Sequence, residues 1–138
     1  MKVISAAQRA TKVAPAASFT GMVLQDEVVT GAAPSRLRAL RVSFTPGART
    51  AWHTHPVGQT LYVLSGVGRV QEEGKEPIEL HPGDTVEIPP DVKHWHGADS
   101  QHLFVHLAIS EVNDAGEGTR WLEHVTDEQH AARATRLG

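Results

Sequence analysis

The stretch GARTAWHTHPVGQTLYVLSG, residues 47–66, decides how this chain is read. His53 and His55 stand two apart on an extended segment. Strand side chains alternate with period two, so both imidazoles project to one side of a sheet. Gln59 follows across Pro56-Val57-Gly58, a turn-rich insert that brings its amide oxygen back toward the same point. The segment reads as one hairpin carrying three donors of a metal shell.

A fourth donor lies downstream. His94 and His96, in the run Lys93-His94-Trp95-His96-Gly97, again share one strand face. Placed opposite residues 53–55 across an antiparallel ladder, His94 completes a shell of three histidines and one glutamine. His53, His55, Gln59 and His94 are therefore candidate ligands of one divalent first-row metal, with positions left for water and substrate. His96 stays open between a ligand, an acid–base group and a hydrogen-bonding neighbour of the shell. An amide in place of a carboxylate removes one negative charge from the shell. That strengthens the metal as a Lewis acid and favours acid–base or lyase chemistry over oxidation.

The flanks predict what holds this cluster. Strand patterns occur at 19–25, 37–44, 49–55, 60–64, 67–72, 77–80, 84–88, 93–98 and 102–111. Turn residues separate them, as at Glu73-Gly74-Lys75 and His81-Pro82-Gly83-Asp84. Short strands at this spacing predict an all-β sandwich or barrel. Residues 1–18 read as a flexible N-terminal arm with one short strand at Val3-Ile4, residues 19–125 as the barrel, and residues 126–138 as a C-terminal helix and tail. Thr126 and Gln129 fit a capping box for that helix, with Trp121, Leu122 and Val125 as its anchors. Trp52 and Trp95 alternate with the ligand positions and face the other side of their strands, so all three tryptophans read as packing. His106 lies in an alternating strand and reads either as a satisfied buried histidine or as a catalytic one. His81, His102, His124 and His130 read as solvated.

Bulk properties narrow the function. The chain has 138 residues, enough for one domain and one core, and a formal net charge of -3 with both signs interspersed. No basic stripe points to nucleic acid, and no apolar run is long enough to span a bilayer. The N-terminus has no sustained apolar core of a secretory signal, which fits a cytoplasmic protein. Cysteine is absent while histidine occurs nine times, so any metal must sit on imidazole, amide, carboxylate and water. A small open-edged barrel hides its strand edges by pairing copies, which predicts a homodimer or homotetramer.

Both segments resemble the two motifs of the cupin superfamily. Gly47, His53, His55 and Gly66 match the first, with Gln59 at the usual glutamate position. Gly83, Pro89 and His94 match the second, with Asp91 where glycine is usual and Ala98 where asparagine is usual. The resemblance implies a double-stranded β-helix, the cupin jelly-roll barrel, with a metal inside its mouth. GARTAWHTHPVGQT, HPGD, KHWHGA, HLAI and WLEHVTDEQ are similar to the small bacterial cupin hydroxynitrile lyases, a manganese-dependent, (R)-selective group. That likeness implies reversible cleavage of cyanohydrins such as mandelonitrile to an aldehyde and HCN. It places Mn²⁺ on His53, His55, Gln59 and His94, with Fe²⁺, Zn²⁺, Ni²⁺ or Co²⁺ as alternatives. It also implies catalytic histidines at His96 and His106, and a small-molecule pocket lined by Leu40, Val42, Thr50 and Ser110. The alternatives are a metal-dependent dioxygenase, a polyketide cyclase or isomerase acting on a small aromatic substrate, and a small-molecule sensor.

Overall fold

The computed structural model describes residues 1–138. Its strands are β1 (Thr11–Val13), β2 (Phe19–Thr20), β3 (Val23–Thr30), β4 (Leu37–Phe44), β5 (Arg49–Thr50), β6 (His53–Thr54) and β7 (Gln59–Gly66). They continue with β8 (Gly68–Glu72), β9 (Ile78–Leu80), β10 (Thr85–Ile88), β11 (His94–Ala98), β12 (Phe104–Glu111), β13 (Arg120–Trp121) and β14 (Thr135–Arg136). One α-helix, α1 (Asp127–Ala131), precedes β14. The fold is nearly all β, as the turn spacing predicts. No helix is long and apolar enough to cross a membrane.

Two sheets face each other. The first runs β1-β3-β4-β12-β7-β10; the second runs β13-β6-β11-β8-β9-β14, with β5 bridging β2 to β11. All pairings are antiparallel except that of β14 with β9. Register explains the core. Val23, Phe44, Phe104 and Gly66 form one row across β3, β4, β12 and β7, and Gln25, Val42, His106 and Val63 form the next on the same face. Thr30, Arg38, Ser110 and Gln59 form the last such row, at the open end. Val23, Phe44, Phe104, Val42 and Val63 of these two rows are buried and apolar, so the barrel is filled at one end; Phe44 and Phe104 pack there with centroids 5.9 Å apart. A bulge in the β7–β12 register sits beside His106, the kind of irregularity that re-aims a side chain near a site.

Three expectations need correction. Val3 and Ile4 lie outside any strand; the first strand is Thr11–Val13, which pairs with β3. The 53–59 segment is not a hairpin, because β6 belongs to the second sheet and β7 to the first. Pro56-Val57-Gly58 carries the chain between sheets, so Gln59 meets the histidines from the opposite wall. His130 is buried rather than solvated, and its Nε2 lies 2.7 Å from the Ala98 carbonyl.

The capping box at Thr126 and Gln129 forms as predicted. Val125 anchors the helix by packing with Trp52 and Trp95 on the outer side of the second sheet. The polar anchor is Arg49, which is buried and donates to the Val125 carbonyl at 2.7 Å and to Asp127 at 2.8 Å. Trp121 does not join this cluster.

Two positions require left-handed backbone. Asp91, which replaces the family's usual glycine, has φ 61, a conformation Asp tolerates better than most side chains. Gly66 has φ +80, and a Cβ there would stand 1.7 Å from the Leu103 carbonyl oxygen. Gly74 has a similar φ of +83 but open space around it. Gly66→Ala is therefore expected to cost about 2–4 kcal/mol, and Gly74→Ala about 1 kcal/mol. Chemical denaturation of the two variants would read the difference; equal losses would mean that the clash with Leu103 relaxes freely.

Candidate metal centre

The open end of the barrel contains a cavity of about 280 Å³. His53, His55 and His96 line it from one side and Gln59 reaches in from the mouth row; the predicted ligand His94 does not line it. Leu40, Val42, Ala108, Val29, Phe19 and Trp121 supply apolar wall, and Thr50, Ser110, Gln25, Thr30 and Arg38 supply polar atoms. All four predicted pocket residues, Leu40, Val42, Thr50 and Ser110, line this space. No Asp or Glu does.

The ladder positions the donors. His94 stands directly opposite His53 in the β6–β11 register, and their rings lie 4.2 Å apart. His53 is 5.0 Å from His55 and 5.2 Å from His96 by ring centroid. The ligand nitrogens of His53, His94 and His96 lie within 4.8 Å of one another. His96 thus belongs to this group, whereas the predicted ligand His55 stands just outside it.

Hydrogen bonding separates the histidines. Nδ1 of His53 lies 2.8 Å from the Ala51 carbonyl, that of His55 2.8 Å from Gly118 O, and that of His94 2.9 Å from Val92 O. A carbonyl only accepts, so Nδ1 carries the proton in all three and Nε2 presents a lone pair. His96 differs. Its Nδ1 lies 2.9 Å from Nε2 of His106, a partner able to donate or accept. Buried, unpartnered polar atoms remain at Nε2 of His55, His94 and His96 and at Oε1 of Gln59. Buried polar groups are almost always paired, so a cluster of orphaned acceptors marks a place for a cation. The donor set, all nitrogen and amide oxygen, suits a divalent first-row metal.

Burial keeps these imidazoles neutral. Desolvation, followed by the charges of His94 and His55, holds His53 well below the ordinary histidine value. Desolvation also lowers His55, and brings His94 down to about 4. His96 is held well below its usual value by desolvation and then by His106, and desolvation alone takes His106 to about 3. Neutral imidazoles are the form that ligates metal and accepts protons.

His106 is fully buried behind His96, between Phe44 and Phe104, and contributes no surface to the cavity. Trp121, assigned by its sequence to packing, lines the cavity instead. It pairs with His53 across β13 and β6, and its ring lies 4.7 Å from the His53 ring. Nothing in the local pattern of Arg120-Trp121 marks this, because a two-residue strand has no periodicity to read.

A jelly-roll barrel with imidazoles and an amide gathered inside one end defines a class of β-barrels able to hold a metal ion. The chain belongs to the cupin family: residues 40–109 match the Cupin domain. It is 47% identical over 130 residues to a curated (R)-mandelonitrile lyase of Granulicella tundricola, covering 94% of this chain and 98% of that protein. A cupin-like protein from Thermotoga maritima superposes with a TM-score of 0.80 at 40% identity, over 86% of this chain and 89% of the other. The polyketide cyclase RemF from Streptomyces resistomycificus shares the fold, with a TM-score of 0.73 at 16% identity over 94% and 90% of the two chains.

Proposed function

We propose that this cupin is a metal-dependent hydroxynitrile lyase that reversibly cleaves (R)-cyanohydrins such as mandelonitrile to an aldehyde and HCN. The observation carrying this reading is the group of unpartnered buried atoms on His55, Gln59 and His96 in the wall of a carboxylate-free cavity, with that of His94 beside them. The similarity to a mandelonitrile lyase supports the reaction. His53, His55, Gln59 and His94 would hold the metal, Mn²⁺ foremost, because each histidine of the set has its tautomer fixed by a main-chain carbonyl. A divalent ion there supplies a Lewis acid that lowers the pKa of a coordinated hydroxyl.

The chain's own residues do the rest. His96 Nε2 faces the cavity without a partner and takes the hydroxyl proton. As the O–H pair becomes the carbonyl π bond, the C–CN bond breaks and its electrons leave with cyanide. Cyanide is a stronger base than this imidazole, so His96 returns the proton to give HCN. His106 Nε2 accepts from the His96 Nδ1–H, which holds the His96 ring and leaves its Nε2 as the base. Thr50 accepts a hydrogen bond from the His96 backbone N–H at 3.2 Å. Its hydroxyl hydrogen is thereby left to donate into the cavity, toward the departing cyanide. Leu40, Val42 and Ala108 exclude water from the reacting bond.

Mandelonitrile incubated under argon with Mn²⁺-loaded protein is expected to yield benzaldehyde, and chelator-treated protein to match the no-enzyme control. Benzaldehyde formation only in the presence of oxygen, or none with any metal, would sink the reading. Oxygen uptake with a small aromatic substrate would instead favour a dioxygenase.

A further inference from the structure

Arg38 is the only Arg or Lys in the cavity wall, and it has no acidic partner. Four other arginines do: Arg36 pairs with Asp114, Arg41 with Asp26, Arg49 with Asp127 and Arg136 with Asp84. Arg38 instead donates to the carbonyl of its neighbour Leu37 at 3.1 Å, which leaves most of its five N–H donors unused. The carboxylate of Glu27 is engaged by the Thr30 hydroxyl and is not part of the wall.

Register places this guanidinium relative to the metal centre. Arg38 pairs with Ser110, and Ser110 pairs with Gln59, so the three residues lie in one row on adjacent strands. Strands are about 4.8 Å apart, which puts the Arg38 and Gln59 backbones about 10 Å apart along one wall of the mouth. Leu40, Val42 and Ala108 lie on the same inward face, deeper than this row. The cavity therefore offers the Gln59 end of the donor set at one side of this row, a cation at the other, and apolar wall beneath the space between them.

Charge points the same way. The donor set is neutral and no carboxylate lines the cavity, so neither a bound divalent cation nor Arg38 has an anionic counterpart there. Such a space is completed by an anion that the ligand must bring.

We propose that Arg38 is a specificity residue that selects an aromatic aldehyde or cyanohydrin bearing a carboxylate on the end of the ring away from the reacting carbon. This names the substrate class of the lyase reading and rests on it, but binding tests it separately. A planar guanidinium matches a carboxylate through two parallel N–H···O bonds, which a lysine cannot reproduce.

The test compares 4-formylbenzoate with benzaldehyde, and their cyanohydrins with one another. Calorimetric titration into metal-loaded protein is expected to show about 10- to 100-fold tighter binding of 4-formylbenzoate, the range for hydrogen bonds to charged groups. A smaller preference of the same sign is expected in metal-free protein. Arg38→Gln should bring the ratio of affinities, and the ratio of kcat/KM for the two cyanohydrins, close to one; Arg38→Lys should recover part of each. An unchanged ratio in Arg38→Gln would overturn the proposal. So would an equal loss for both ligands, which would place Arg38 on the group they share. If neither cyanohydrin turns over, the lyase reading fails, and the binding ratio still decides the role of Arg38.

Discussion

Replacing His94 by Ala is expected to lower metal affinity by at least about 100-fold and to take turnover down with it, whereas replacing His96 by Ala leaves metal bound and lowers kcat by roughly 10²–10⁴-fold. The contrast follows from the partners of Nδ1. His94 is locked by the Val92 carbonyl into the tautomer that presents Nε2 as a ligand. His96 faces an imidazole that can exchange donor and acceptor roles, which a proton-transferring group needs and a permanent ligand does not. Metal content measured after desalting, alongside kcat on mandelonitrile, separates the two roles. A His96→Ala protein that loses metal as readily as His94→Ala would make His96 a ligand and leave the mechanism without its base. His106→Leu should retain metal and shift the pH profile of kcat, because it removes the group that sets the His96 tautomer without removing a ligand.

The metal-free protein is expected to lose stability steeply as pH falls below the ordinary histidine value of 6.5. His94 and His106 are depressed in the folded chain to about 4 and about 3. Between those values and 6.5 the unfolded chain binds a proton that the folded chain refuses. Acid therefore favours unfolding throughout that window, and stability rises with pH across it. The slope is about 1.4 kcal/mol per pH unit for each such group, or roughly 3 kcal/mol in full for His94 and roughly 5 kcal/mol for His106. Since whole domains are stable by about 5–15 kcal/mol, this is a dominant effect. Denaturant midpoints at pH 7.5, 6 and 5 would record it. His106→Leu should remove about 1.4 kcal/mol per unit from the slope. A midpoint flat from pH 7.5 to 5 would mean that these rings are charged or hydrated in the folded protein.

How much of the fold and site is legible in the sequence depends on the range of each interaction. The pairs His53/His55 and His94/His96 declare themselves, because period-two alternation is a local rule and a strand obeys it wherever it lies. The His94–His53 opposition was legible too, since one antiparallel pairing satisfies both motifs. What failed was topology between neighbours. Pro56-Val57-Gly58 has the composition of a hairpin turn, but a turn's residues do not say whether the next strand returns to the same sheet. The place of His106 behind His96, rather than beside it, is set by a register across β4, β12 and β7 that no single segment encodes. The same is true of Arg38, which is an unremarkable strand arginine until Ser110 and Gln59 fall in line with it. The surroundings of His130 and Trp121 are not legible in the sequence for one reason: each belongs to a C-terminal piece too short to show a pattern, and docking decides what it touches.

The three carbonyls that lock the proposed ligand histidines belong to Ala51, Val92 and Gly118. They are main-chain atoms, so no side-chain replacement deletes them. The centre is thus insulated from point mutation at its supports and exposed to changes in chain length. An insertion or deletion between 51 and 53, or within 112–119, would unseat a ligand where several substitutions would not. The walls at Leu40, Val42 and Ser110 have no part in those locks. On the lyase reading they can be redrawn for new aldehydes at little risk to the proposed metal site, and a directed-evolution library is best spent there.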